Sequence, residues 1–157
     1  LPLDKILIIV AWIITAIALI LLVPKNRIRE AWVIFLFKQF LTWILGIAMV
    51  ELRLIEYPVR FFAYANKTSF SFEYYIYPAI CVIFNLHYPE NRNKIIQFLH
   101  FVAYCTGISI FEVLCEHYTN IIKYTGWTWY YTWISLFITF FISRTFYIWF
   151  FRAYKEA

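Results

Sequence analysis

Residues 98–117 read FLHFVAYCTGISIFEVLCEH. The run matches the length an α-helix needs to cross a bilayer, about 20 mainly apolar residues. Its polar members are ordered. Cys105, Ser109, Glu112 and Glu116 fall at i, i+4, i+7 and i+11, one narrow stripe of a 3.6-residue helix. A carboxylate facing hydrocarbon is costly, so the stripe is expected to face protein, trapped water or a ligand. The other helices are then expected to form a cage around it.

The whole chain repeats this apolar character. Of its 157 residues, 64% are hydrophobic, 24% aromatic and only 15% charged, and its mean hydropathy is +0.69. A soluble domain of this size needs far more polar surface, so the reading is an integral membrane protein. The net charge of +5 is then a matter of topology. No basic patch with base-stacking rings stands apart from the apolar runs, so nucleic acid is not expected as a partner. Cys81, Cys105 and Cys115 all lie inside apolar runs and form no CxxC pair. They read as small packing residues, not as a disulfide or zinc framework.

Outward from the quoted run, the periodicity predicts an all-α, polytopic bundle of five transmembrane helices in one domain. The spans fall at about residues 6–23, 29–53, 71–88, 94–118 and 127–151. The first is followed by Pro24 and a basic turn, and reads as a retained helix rather than a signal peptide. In the second, Lys38 lies near mid-bilayer, Thr42 shares its face, and Gly46 lets a neighbour approach closely. Residues 54–70 differ in kind: Glu56, Arg60 and Lys67 alternate with apolar residues, and Pro58 suits the first turn of a short helix. This predicts an amphipathic segment lying in the interface plane. Thr68, Ser69 and Ser71 are capping residues for the third span, with Glu73 in its first turn. Pro78 inside that span frees the carbonyl of Tyr74 and predicts a kink. In the fifth span Thr128, Thr132, Ser135 and Thr139 share one face, which pairs with the stripe on span four as a mating surface.

Five spans place the ends on opposite sides. Lys25, Arg27, Arg29, Arg92, Lys94, Arg152 and Lys155 fall on one side, so the positive-inside rule gives the N-terminus outside and the C-terminus cytoplasmic. Trp127, Trp129 and Trp133 read as an outer anchor, Trp149 and Tyr154 as an inner one. Glu51, Glu56, Glu73, Glu112 and Glu116 then converge on the outer half. Two readings follow. In one, the acids form a vestibule that binds a cation or relays protons. In the other, they pair with Arg53, Arg60, Lys123 and headgroups. Glu112 favours the first because it lies deepest, and the outermost acids favour the second. Lys38 either snorkels inward or neutralises a carboxylate such as Glu112. Arg144 is expected to snorkel to the inner headgroups. His100 reads as a hydrogen-bonded packing group and Asn85 as an interhelical hydrogen-bond group.

The sequence carries no GxSxG, HExxH, Walker or Rossmann pattern, so an enzyme is not expected, nor a cofactor. His117 beside Glu116 has no second His at ligand spacing, so a metal site is not expected either.

The stretches ELRLIEYPVRFF, NKTSFSFEYYIYP, FNLHYPENR and EVLCEHYTNIIKYTGWTWYYTWI resemble a family of small, uncharacterised multi-pass membrane proteins of endospore-forming Gram-positive bacteria. The resemblance runs from about residue 24 to residue 151. It implies a bacterial plasma-membrane or spore-membrane location and a link to sporulation, and it implies no activity. In size and aromatic richness the chain is also similar to the tryptophan-rich sensory proteins, five-helix binders of porphyrins and sterols.

The expected function is non-enzymatic: binding or passage of a proton, a cation or a small amphiphile through a polar core centred on span four. Glu112 is its central group, with Glu116, Lys38, Ser109 and Glu73 as the other candidates. The alternative is a structural or accessory subunit packed against a larger membrane partner or a second copy, its polar stripe serving as interhelical glue. A water-accessible cavity at Glu112 favours the first, and a dry, hydroxyl-paired carboxylate favours the second.

Overall fold

A computed structural model of the protein describes residues 2–156, with side chains through residue 152. The helices are α1 (Leu3–Leu22), α2 (Ile28–Glu51), α3 (Phe70–Leu86), α4 (Lys94–Tyr118) and α5 (Trp129–Glu156). Four helices are long and apolar enough to cross a membrane: Leu3–Leu22, Lys25–Glu51, Lys94–Tyr118 and Trp129–Arg152. The run expected as the third span forms a shorter apolar helix, α3.

That shorter helix, not α4, occupies the centre. Phe72, Ile76, Tyr77, Ala79, Cys81, Val82, Phe84 and Leu86 of α3 are all buried. It packs against α1, α2 and α5 and reaches α4 where Phe84 meets Phe101 and Tyr104. The physical reason lies in the pattern: a helix with apolar residues on every side must be covered on every side, whereas a single polar stripe needs only one protected face. α4 shows the second case. Cys105, Ser109 and Glu112 are buried, while Phe98, Leu99, Ile110 and Leu114 point outward.

Pro78 frees the Tyr74 carbonyl as the sequence predicts, and the helix changes type beside it. The helix opens as a π-helix over Phe70–Ile76 and becomes α-helical at Tyr77. Proline has no N–H to offer the carbonyl four residues back, Tyr74, nor the one five residues back that a π-turn would use, Glu73. Both carbonyls are satisfied from α2. Gln39 Nε2 donates to the Tyr74 oxygen at 2.8 Å, and Thr42 Oγ1 donates to the Glu73 oxygen. One turn further on, Gly46 leaves room for the Glu73 side chain: a Cβ there would lie 2.8 Å from Glu73 Cγ and 2.8 Å from Thr68 Oγ1. α2 and α3 are thus keyed together by two polar side chains and one missing methyl.

At one end of the bundle, residues 52–69 form no helix. Arg53 leaves α2 with φ of 56°, the left-handed position that ends many helices. Ile55–Glu56 (β1) then pairs antiparallel with Lys123–Tyr124 (β2) from the α4–α5 connection, in the register Ile55↔Tyr124 and Glu56↔Lys123. Ile55 and Tyr57 are buried under this strap. Arg60 folds back onto the carbonyls of Tyr57 and Asn66. The alternation read as amphipathic-helix spacing is therefore that of a short strand and turns. Two-residue strands are too short to produce a periodic signal of their own.

The opposite end gathers the termini of three helices. Arg27 donates to the Leu86 carbonyl at 2.9 Å and to Tyr147 at 2.9 Å, and it pairs with Glu30 at 2.7 Å. Arg144 does not reach for headgroups. It is buried, pairs with Glu90 and lies 4.0 Å above the ring of Tyr88. His100 is a packing group as expected, bonded to the Phe84 carbonyl at 3.0 Å, and Asn85 donates to the Cys81 carbonyl at 3.0 Å. Trp129 and Trp149 are exposed near opposite ends of α5. Tyr154 and Lys155 lie outside the described side chains.

Candidate functional site

Glu112 projects from α4 into the bundle and is only 7% exposed. Both of its oxygens are occupied by hydroxyl donors. Tyr77 of α3 donates to Oε2 at 2.6 Å. Tyr124 of β2 and Thr132 of α5 each donate to Oε1 at 2.7 Å. Trp127 Nε1 in turn donates to Thr132 Oγ1 at 2.8 Å, which leaves the threonine hydrogen free for the carboxylate. Trp127 therefore faces inward and is not a lipid anchor. The α4 and α5 stripes do meet, and Glu112–Thr132 is the bond between them.

Glu73 is held in the same fashion. It is 9% exposed, and Tyr57 of the strap donates to its Oε1 at 2.9 Å. Burial, and then the adjacent Glu73 carboxylate, push the Tyr57 phenol well above its ordinary range. Burial and then Glu112 push the Tyr124 phenol up in the same direction. Both phenols therefore remain hydrogen-bond donors at neutral pH.

The two carboxylates share one cavity of about 100 Å³. Thr42 and Gly46 of α2, Tyr57 of the strap and Thr132, Ser135 and Thr139 of α5 complete much of its wall. Behind Thr139 stands Lys38. It is 0% exposed, donates to Thr139 Oγ1 at 2.7 Å and lies 4.3 Å from the centre of the Phe140 ring. It neither snorkels nor forms an ion pair with Glu112. It bonds instead to the hydroxyl that lines the cavity.

The remaining predicted groups are not brought together with these. Ser109 is buried, has no hydrogen-bond partner for its Oγ among the described residues, and lines a separate groove beside Trp133. Glu116 is half-buried and does not line the cavity. Glu51 and Glu56 are exposed, so the converging acids are Glu73 and Glu112. No group of three or more His, Cys, Asp or Glu side chains at metal-binding distances occurs among the described residues.

The sequence did not single out Tyr57, Tyr77 and Tyr124 as partners. With 13 tyrosines in the chain, composition does not mark which hydroxyls turn inward. A usable signal existed for Tyr77: it lies four residues after Glu73 on a helix that is mostly apolar.

These features define an all-helical membrane protein with a small, carboxylate-lined internal cavity. Family models, curated proteins and solved structures give no match to the chain, so the site is read from its own geometry.

Proposed function

We propose that the protein is a non-enzymatic membrane protein that binds, and passes, a proton or a small monovalent cation through the cavity between Glu73 and Glu112. The observation that carries this reading is a charge imbalance. Two carboxylates face one small cavity, and a single buried ammonium, Lys38, stands behind its wall. In their ordinary ionic forms these groups leave one negative charge over, and an uncompensated charge inside a bundle is expensive. One proton or one monovalent cation restores neutrality. Volume narrows the choice of ligand. About 100 Å³ is room for roughly three waters at about 30 Å³ each, which suits a hydrated proton or a partly dehydrated ion. It is too small for an amphiphile, a porphyrin or a sterol.

In this reading α3 is the fifth crossing. It runs antiparallel to α2 from Glu73 near Gly46 to Leu86 near Arg27. The cationic turns then face the cytoplasm, the N-terminus lies outside, and the cavity sits in the outer half under the strap. A bacterial plasma or spore membrane follows from the family resemblance alone.

The test is flux in proteoliposomes, read with pH-sensitive and cation-sensitive dyes. Wild type is compared with Glu112→Gln and Glu73→Gln, after circular dichroism and gel filtration establish equal folding. Loss of flux in both variants is the expected result, and equal flux in all three overturns the proposal.

One observation favours the accessory-subunit reading. The three donors to Glu112 come from α3, β2 and α5, so the carboxylate also joins four elements as a clamp. That reading predicts that Glu112→Gln lowers the unfolding temperature while no condition produces flux.

A further inference from the structure

The end of the bundle opposite the carboxylate cavity holds a second, larger cleft, of about 540 Å³, between the start of α4 and the end of α5. Its α5 wall carries Phe141, Thr145, Ile148 and Arg152, spaced i, i+4, i+7 and i+11. This is one stripe roughly 16 Å long at about 1.5 Å per residue. Its α4 wall carries Lys94 at the rim and Phe101 below. Arg144, between Phe141 and Thr145, is paired with Glu90, so among the described residues the unpaired cations of both walls lie at the end of the bundle and apolar side chains lie toward its middle. The lower part opens sideways, since Phe141 is 57% and Ile148 40% exposed.

The rim is built rather than loose. Gln97 Nε2 donates to the carbonyls of Glu90 and Arg92, each at 3.1 Å, and fixes the α3–α4 turn. Arg144, buried against the Tyr88 ring, holds Glu90 from the other side. Glu90 is thereby paired with Arg144. Lys94 and Arg152 have no carboxylate partner among the described residues. Among the described residues the cleft carries three cations against one acid.

We propose that this cleft binds one anionic phospholipid, with its phosphodiester between Lys94 and Arg152 and an acyl chain along Phe141 and Ile148. The polarity of the walls matches that ligand end for end. The surplus positive charge selects a headgroup that carries no ammonium of its own. A free anion would use the rim and leave the apolar stripe exposed.

The experiment uses the purified full chain in a neutral detergent. Native mass spectrometry with equimolar phosphatidylglycerol and phosphatidylcholine reads which lipid is retained, and thermal unfolding with each lipid or with inorganic phosphate reads stabilisation. The expected result is retention of phosphatidylglycerol on the order of tenfold over phosphatidylcholine, with no stabilisation by inorganic phosphate. Lys94→Gln with Arg152→Gln should bring the two lipids to parity. Ile148→Trp should weaken retention of both by filling the apolar groove. Equal retention by wild type, or a preference that survives the double substitution, overturns the proposal. Stabilisation by inorganic phosphate equal to that by phosphatidylglycerol assigns the rim to free anions and overturns it as well.

Discussion

Gly46→Ala is the most telling single change. The added Cβ would stand 2.8 Å from Glu73 Cγ, 3.1 Å from Glu73 Cδ and 2.8 Å from Thr68 Oγ1. The backbones of α2 and α3 are pinned by the Gln39 and Thr42 bonds, so the side chain of Glu73 must move. Moving it breaks the Tyr57–Glu73 bond. Overpacking a tight site costs about 1–3 kcal/mol, and losing a hydrogen bond to a charged group costs about 1.5–3 kcal/mol. Against this, alanine is better than glycine in a helix by about 1 kcal/mol. The expected net destabilisation is about 1.5–5 kcal/mol. Gly107→Ala is the internal control, because a Cβ at Gly107 meets nothing within 4 Å, so it should stabilise by up to about 1 kcal/mol. Both are read by thermal unfolding in detergent beside wild type. Adding Glu73→Ala to Gly46→Ala should recover part of the loss. If Gly46→Ala and Gly107→Ala shift the unfolding temperature alike, the close approach of α2 and α3 is wrong, and so is the placement of Glu73 in the cavity.

Lys38→Met should abolish the charge compensation behind Thr139 while keeping the side chain's length. On the proposed function, flux then saturates at a different cation concentration, and an unchanged concentration dependence would remove Lys38 from the site. Cysteines at Glu56 and Lys123 should cross-link on mild oxidation, because directly paired antiparallel residues have Cα atoms about 4.5–5.5 Å apart. Peptide mapping under non-reducing conditions reads the bond, and failure to form it contradicts the strap's register. Arg53→Gly should stabilise by about 1–2 kcal/mol, since a side chain at positive φ carries a penalty of that order, and an unchanged unfolding midpoint would argue against that helix ending. Tyr124→Phe removes one of the three donors to Glu112 and should cost about 1–3 kcal/mol, measured by the same unfolding assay.

Much of the fold was legible because it rests on local rules. Helix positions followed from apolar length, the start of α3 from the Ser69 cap, and the freed Tyr74 carbonyl from the chemistry of proline. The mating of α4 and α5 followed from two stripes of like spacing. What was not legible depends on rotation of one helix against another. Thr139 was read as facing α4, yet it also meets Lys38 of α2, and nothing in the spacing of α5 distinguishes those faces. The centrality of α3 was hidden because two of its polar residues, Ser71 and Glu73, look like capping and interface features until their partners are known. Glu116 looked equivalent to Glu112 by periodicity, but one turn closer to the helix end the bundle no longer encloses it.

The pairing of Gln39 and Thr42 with the carbonyls left open by Pro78 has an evolutionary consequence. One backbone amide can serve one of those two carbonyls, so the Gln39 donor is needed only while a ring nitrogen sits at position 78. A lineage that replaces the proline regains an amide hydrogen there, and its α2 becomes free to drift to alanine or leucine at position 39. A lineage that keeps the proline must keep a donor opposite it. Among related chains the donor at position 39 should therefore be lost only where the proline at position 78 is already gone, even though the residues lie in different helices.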